Sequence, residues 1–583
     1  MGRPDIDRDD TDILILGSGG AGLFAALHAH QAAPHLAVTV ATKGLIGKCG
    51  CTRMVQGGYN VALQPGDSVE RHFMDTIEGG KWLPDQDLAW TLVETAVERV
   101  RELENEIGCF FDRNADGTLH GKAFAGQTFD RTVHKGDLTG IEIINRLMEQ
   151  VWARPIGRLE EHRAIALVRS GDGTQIAGVL FIDIRTGRFR LVTAKAVLLA
   201  TGGGPTMFRY HTPSGDKAMD GLKMAFDAGL GLRDMEMVQF HPTGMLAGPH
   251  TRMTGTVLEE GLRGAGGWLI NGDGDRFMER YDPKAERATR DIVSRAITAE
   301  MRAGRTSPNG GVYIQMSHLG PDTVRAQFKG MVERCADSGF DLAEGQVEVV
   351  PTAHYHMGGV VCGVDTSTTI AGLYVAGEDA GGVHGANRLG GNGVANSTVF
   401  GGIAGAAMAR FVTANPFGVA PDLTAVDDAV TAAQKPLDAP QGDINAVRDR
   451  LLNLMWDDVG VLRDRAGLER ATGALRDLDA VLDGCGVADA DLAFNLTWHD
   501  WLNLKSQIAM SQVITASALA RENSRGAHFR EDFPEPGALE TSTYTVATQD
   551  HAVGGVAVDN EPVRFTRVRP GETLIEAPLA AAE

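Results

Sequence analysis

The six cysteines of this 583-residue chain, Cys49, Cys51, Cys109, Cys335, Cys362 and Cys485, include no CxxC pair. An iron–sulfur cluster or a structural zinc needs closely spaced thiolates, so neither is encoded here and any such centre must sit on a partner. A basic surplus is lacking too. Lys and Arg number 55 against 76 Asp and Glu, and the net charge of −21 argues against a nucleic-acid partner. No apolar run reaches the roughly 18 residues of a membrane span. Met1 to Asp10 is charged and has no apolar centre, so no secretory signal is expected and the chain itself should be soluble and cytoplasmic. Internal repeats and low-complexity tracts are absent as well.

What the chain has in abundance is glycine, 73 residues gathered in clusters. Such clusters permit tight turns and close backbone approaches, as nucleotide binding requires. The length is too great for one core, so two to four domains are expected. Asp12 to Leu16 reads as a short apolar strand, followed by Gly17-Ser-Gly19-Gly20-Ala-Gly22, an alanine-rich helix to about Gln31, and a second strand over Ala37 to Ala41. That is the opening of a Rossmann βαβ unit, in which the glycines let a pyrophosphate approach the helix N-terminus. The acid that usually ends the second strand is missing, and Thr42-Lys43 stands there. This weakens an NAD reading and favours FAD.

Two further segments offer backbone to a dinucleotide. Ala196 to Gly204 is an apolar strand running into glycines, with Thr201 and Gly202 at its end, and Gly372 to Glu378 repeats the pattern. Glu378 could supply the ribose acid that position 42 does not. Glu70 to Phe111 carries helical periodicity, with Leu92, Ala96, Val100 and Leu103 on one face. Asp112 to Gly117 resembles a calcium loop, but its twelfth position is Ala123 rather than Glu, so a polar turn is expected. Alternating strands fill Ala164 to Leu199.

The fold class that follows is α/β. A Rossmann-like FAD-binding domain in two parts (1–241 and 352–415) holds an inserted α+β capping domain over 242–351, with a hairpin turn at Asn271 to Gly274. A helical bundle over 416–533 contains helices at Asn445 to Leu482 and Asn495 to Glu522, and a small C-terminal domain occupies 534–583.

Inside the insertion, Thr289 to Arg295 presents Arg290 where a flavin enzyme needs a proton carrier. On residue type alone Arg290 is a permanent cation salt-bridged to Asp291 or Glu286. Its company alters that reading. Gln239-Phe-His241-Pro-Thr-Gly244, Arg290-Asp291, His354-Tyr-His-Met-Gly-Gly359 and His384-Gly-Ala-Asn-Arg388-Leu-Gly-Gly391 together resemble the flavoprotein subunit of succinate dehydrogenase and fumarate reductase. The likeness covers nearly the whole chain, including Asp457 to Gly460 and Glu522 to His528.

The resemblance implies hydride transfer between flavin N5 and a methylene carbon of succinate or fumarate. It assigns the proton to Arg290, relayed through Glu260 and Arg263, and the substrate carboxylates to His241, His354 and Arg388. Gln127 and Glu259 join the substrate site. Glu259 departs from the family, which usually has a small hydroxyl residue there; a carboxylate would repel the diacid unless it points away or is protonated. The cofactor carries over to Thr52, Gln56, Gly57, Gly58, Ala164, Asp220, Arg388, Gly393 and Val394, besides the glycine segments, Thr42, Lys43 and Cys51. Cys51 stands where many relatives have a histidine tethered to FAD, so a histidyl link is impossible, and non-covalent FAD ranks above a cysteinyl bond.

The implied partners are an iron–sulfur subunit, membrane anchor subunits through it, and indirectly a quinone. The expected place is peripheral, on the cytoplasmic face of the inner membrane. The leading function is the catalytic subunit of a succinate:quinone oxidoreductase. Its alternatives are a fumarate reductase working mainly in the reducing direction and a soluble L-aspartate oxidase-like enzyme. Against the last stands Phe124-Ala-Gly-Gln127-Thr, since aspartate oxidases resemble a stretch with an added acid for the substrate amine. A non-catalytic flavin scaffold is disfavoured because every proposed catalytic position is occupied.

Overall fold

The computed structural model describes residues 5–248, 251, 253–489, 491–550 and 554–575. The outer ends of the expected first and last domains, residues 1–4 and 576–583, lie outside them.

A seven-stranded sheet carries the nucleotide-binding half. At its centre Ile6–Leu16 pairs in parallel with Val38–Ala41 on one side and Phe189–Leu199 on the other. Ile13 to Leu16 are buried without alternation, as a parallel strand covered on both faces requires. The far edge of Phe189–Leu199 is shared. Its first part pairs antiparallel with Ile176–Asp183, and Val197 to Leu199 pair in parallel with Leu373–Val375. The second glycine strand is thereby set beside the third.

The sheet's first helix, Gly20–Ala32, packs against Asn392–Ala414 at unusually close range, and small residues permit it. A Cβ on Gly401 would lie 2.5 Å from Ala21 O, and one on Gly405 would lie 2.2 Å from Ala25 O. The helical stretch expected over Glu70 to Phe111 is two helices, Val69–Gly79 and Gln86–Asn105, and Leu92, Ala96, Val100 and Leu103 are buried on the second. Asp112 to Gly117 is a turn closed by its own polar groups, with Asp116 Oδ1 accepting from Thr118 N at 3.0 Å.

Strands Val238–Met245, Gln346–His356, Val312–Gln315 and Trp268–Ile270 make the antiparallel sheet of the insertion, and helix Arg290–Arg302 packs on it. The expected boundary at Pro242 falls inside its first strand. Proline has no N–H for the ladder, and the register shifts between His241 and Gly244. Asn271 does turn a hairpin, its Oδ1 accepting from Asp273 N and Asp275 N.

Four helices follow, Leu423–Asp438, Ile444–Asp458, Arg465–Asp483 and Leu496–Ala520. Each begins where an Asp or Asn side chain caps the exposed N–H groups of the first turn: Asp422, Asp443, Asp464 and Asn495. The first of them was not foreseen. Among the described residues, no helix is long and apolar enough to cross a membrane. The tail's hairpin, Thr543–Asp550 and Gly555–Pro562, extends a sheet through Leu232–Arg233 to Gly359–Val360 of the nucleotide half.

Candidate active site

The two strands Val238–Met245 and Gln346–His356 pair with two irregularities, and both bring a histidine to the site. Gln239 stands opposite Tyr355 and Phe240 opposite Ala353, so His354 is the extra residue of a bulge. The second irregularity follows His241, whose Nδ1 takes a hydrogen bond from Thr243 N at 3.3 Å. Bulges re-aim side chains in this way at functional sites. The two rings come to rest 5.4 Å apart.

Both histidines, with Arg290, Arg388, Glu259, Glu260 and Tyr355, line one end of a cavity of about 740 Å³. Arg290 opens the helix Arg290–Arg302 and reaches Glu260 twice, from Nε at 3.0 Å and Nη2 at 2.7 Å. It pairs with neither Asp291 nor Glu286; Glu286 is taken by Arg276. The third nitrogen, Nη1, donates to Gln239 Oε1 at 3.0 Å. Arg388 Nη2 donates to the same oxygen at 3.1 Å, and its guanidinium lies over the Tyr355 ring at 4.5 Å. Arg263 lies behind Glu260, 3.5 Å from its Oε1, and donates to Glu286 O at 2.7 Å.

The charges are arranged for an anion. Burial, then Arg290 and other nearby cations, hold His241 well below the ordinary imidazole range, and His354 likewise, so both are neutral. Since His241 Nδ1 accepts from Thr243, its Nε2 carries the proton and can donate. Burial and the neighbouring Arg290 bring Arg388 down to about 10, still cationic at neutral pH. Burial raises Glu260, yet Arg290 and Arg263 outweigh it and keep the carboxylate ionised. Arg388 Nε, Arg263 Nε and Arg263 Nη2 are buried without hydrogen-bond partners. Unpaired buried donors are costly unless a ligand satisfies them.

The other end of this cavity fits a flavin dinucleotide. Gly19, then Gly20 and Ala21 of the first helix, with Cys51, Thr52, Gln56 to Gly58, Gly377, Glu378, Gly393 and Val394, form its walls. A smaller pocket, lined by Gly17, Thr42, Lys43, Ala164, Thr201 and Asp220, adjoins it, and Gly19, Gly50, Ala200, Gly202 and Lys217 belong to both. The cradle depends on missing side chains. Gly17 has φ +113°, and a Cβ there would lie 2.1 Å from Ala200 O. The helix it leads into, Gly20–Ala32, takes no cap from Gly19, and its first N–H, Gly20 N, donates to Thr52 Oγ1 at 3.0 Å, so Thr52 stands with the helix N-terminus at the phosphate end.

Most residues named from the sequence therefore converge. Glu378, expected at a ribose, stands in the larger cavity and accepts from His356 N at 2.9 Å and Gly204 N at 3.3 Å. Two acids line the smaller pocket, Asp216 and Asp220, and Asp220 is held at 2.7 Å by both Lys43 and Arg163. Gly22 reaches neither cavity; its Cβ would meet Gly17 O at 1.9 Å, so it shapes the turn. Gln127 does not line the larger cavity; its Nε2 donates to Gly390 O and Asn60 Oδ1, both at 3.0 Å, beside the Arg388 loop, and its Oε1 is buried without a hydrogen-bond partner.

Gln239 stands in a motif that the sequence displays, yet sequence reasoning gave it no role. Two-residue periodicity places it on the same face as His241, a signal that was available. Thr212, whose hydroxyl pairs with His354 Nδ1 at 2.8 Å, carries no such mark.

Residues 12–394 match the FAD binding domain family, and 448–575 match the fumarate reductase flavoprotein C-terminal family. The chain is 40% identical over 533 residues to one of the subunits of the fumarate reductase (CoM/CoB) of Methanothermobacter marburgensis, a match covering 90% of this chain and 95% of that one. It is 35% identical over 552 residues to the 8-methylmenaquinol:fumarate reductase flavoprotein subunit of Wolinella succinogenes, covering 92% and 88%. The fold superposes on the FrdA chain of E. coli quinol fumarate reductase with a TM-score of 0.91 at 30% identity, over 97% and 99% of the two chains. With a nucleotide cradle opening onto a cluster of buried cations, this chain belongs to the FAD-dependent oxidoreductases of the fumarate reductase and succinate dehydrogenase flavoprotein family.

Proposed function

We propose that this chain interconverts fumarate and succinate, with Arg290 as the proton carrier. The observation that carries the reading is the double hydrogen bond from Arg290 to Glu260 within the cavity that Arg388, His241 and His354 also line. Bound FAD supplies the hydride chemistry at carbon.

The chain's own residues do the rest. Arg388 and the Nε2 of His241 grip one carboxylate, and His354 fixes the other end, so a four-carbon diacid is selected by length and charge. Arg290 lines the same cavity as that clamp, so its guanidinium can hand a proton to the substrate carbon. Glu260 touches Arg290 at 2.7 Å and Arg263 at 3.5 Å, and so it can return a proton from one guanidinium to the other. Burial lowers Arg263, consistent with a donor in that line.

Reduction of fumarate is the favoured direction. Cys51 takes the place of the tethering histidine, and burial pushes its thiol up to about 12, so it stays protonated and unreactive. The flavin is then held without a covalent bond, at a lower potential than a tethered one. Electrons reach it through an iron–sulfur subunit bound to membrane anchors and a quinone, a reading supported by a relative that is the flavoprotein subunit of an 8-methylmenaquinol:fumarate reductase. This seats the chain peripherally at the cytoplasmic face of the inner membrane. The test is an assay of the purified holoprotein for fumarate reduction by a reduced dye and succinate oxidation by an oxidised one. Turnover in both, faster with fumarate, is expected; turnover in neither would refute the reading.

A further inference from the structure

Three acids line the larger cavity, and two of them are held. Glu260 is bound by Arg290, and Glu378 accepts two backbone N–H groups. Glu259 has no comparable hold. Its nearest cation is Lys122 Nζ, 3.8 Å from Oε2 and beyond hydrogen-bond range, and Lys122 Nζ donates to Gly136 O at 2.8 Å. Yet Glu259 is buried, 7% exposed, in the wall that also carries Arg290 and Arg388.

The surroundings of Glu259 come from three elements. Lys122 and Asp137 face it from the nucleotide half, and Arg334 faces it from helix Lys329–Ala336 of the insertion. Its neighbour Glu260 is held by Arg290, while His241, His354 and Arg388 share its cavity. Burial is the largest influence and raises the Glu259 carboxyl, Lys122 and Arg334 oppose it, and Asp137 adds to it. A bound dianion would place a further negative charge beside it, and like charges in one site cannot both ionise cheaply.

We propose that Glu259 meets the substrate as a carboxylic acid, donating its O–H to one substrate carboxylate, so that a site whose Glu259 is ionised when empty takes up a proton as the dianion binds. This rests on the dicarboxylate reading above. The acid then supplies the donor that a small hydroxyl residue supplies in the family's usual pattern. It also makes the site selective for unsubstituted diacids, because an amine-bearing diacid would require Glu259 to be ionised.

The experiment is calorimetric titration of the oxidised holoprotein with fumarate, in two buffers of different ionisation enthalpy. At about pH 8 the wild type should take up close to one proton per fumarate, and Kd should rise by up to about tenfold per pH unit above the free-state pKa of Glu259. Glu259→Gln and Glu259→Thr should both bind fumarate with no uptake and a Kd flat in pH. Wild-type binding without uptake would overturn the proposal, as would uptake that persists in either variant, which would assign the proton to the histidines. Tighter binding of L-aspartate than of fumarate would overturn it too. Absence of any fumarate binding would instead remove the dicarboxylate reading itself, and this proposal with it.

Discussion

Arg290 and Arg388 donate to one and the same atom, Oε1 of Gln239, at 3.0 and 3.1 Å. The amide is itself fixed from its other end, where Nε2 donates to Asn387 Oδ1 at 3.0 Å and Arg388 O at 2.7 Å. A neutral carbonyl thus holds two buried cations side by side, so the site is charged before any anion arrives.

Replacing Gln239 by Leu should release both guanidinium groups. A hydrogen bond to a charged group contributes about 1.5–3 kcal/mol, so KM for fumarate should rise roughly 10- to 150-fold, with kcat falling as well. Steady-state kinetics with a reduced dye would check it, and unchanged constants would show that the shared oxygen has no role.

Arg388→Ala removes a buried cation from the substrate end. Loss of such a partner costs about 2–4 kcal/mol, or roughly 30- to 1000-fold in dicarboxylate Kd. Flavin content should stay near wild type if the residue's main duty is substrate. Titration with fumarate beside an absorbance spectrum separates the two duties.

The flavin should leave with the supernatant when the holoprotein is precipitated by acid. The buried thiol of Cys51, pushed up to about 12, lacks the thiolate that a covalent bond would need. Cys51→Ser should behave the same way. Fluorescence that stays with the denatured chain on a gel, and is lost in Cys51→Ser, would contradict this.

Two glycine substitutions should act in opposite senses. A Cβ on Gly22 would lie 1.9 Å from Gly17 O, so Gly22→Ala should yield protein with little or no flavin. Gly473 lies exposed within helix Arg465–Asp483 with nothing within 4 Å of a Cβ, and Gly473→Ala should stabilise the fold by about 0.5–1 kcal/mol. Flavin absorbance and thermal unfolding would test the pair.

How much of this was legible depended on how local each signal was. The strand, glycines and helix from Asp12 to Gln31 could be read directly, because turn chemistry and apolar spacing act within a few residues. His241, His354, Arg290 and Arg388 were found as members of motifs, although nothing in one motif says that it meets another. Gln239 escaped because its role exists only once Arg290 and Arg388, 51 and 149 residues on, fold against its one carbonyl oxygen. Gln127 could be named from its stretch, but its contact with Gly390 O, 263 residues on, could not. The docking of the tail hairpin on Leu232–Arg233 could not be read, because a strand of two residues is too short to announce itself.

The central claim is that Arg290 carries the proton, and Arg290→Lys tests it most directly, since charge survives while the planar fork to Glu260 and Gln239 does not. Turnover and dicarboxylate affinity should be measured on the same flavin-loaded preparation. Removal of a general acid costs about 100- to 10,000-fold, so kcat for both fumarate and succinate should fall into that range, with fumarate Kd within about fivefold of wild type. A variant that keeps near-wild-type kcat at saturating fumarate would contradict the account.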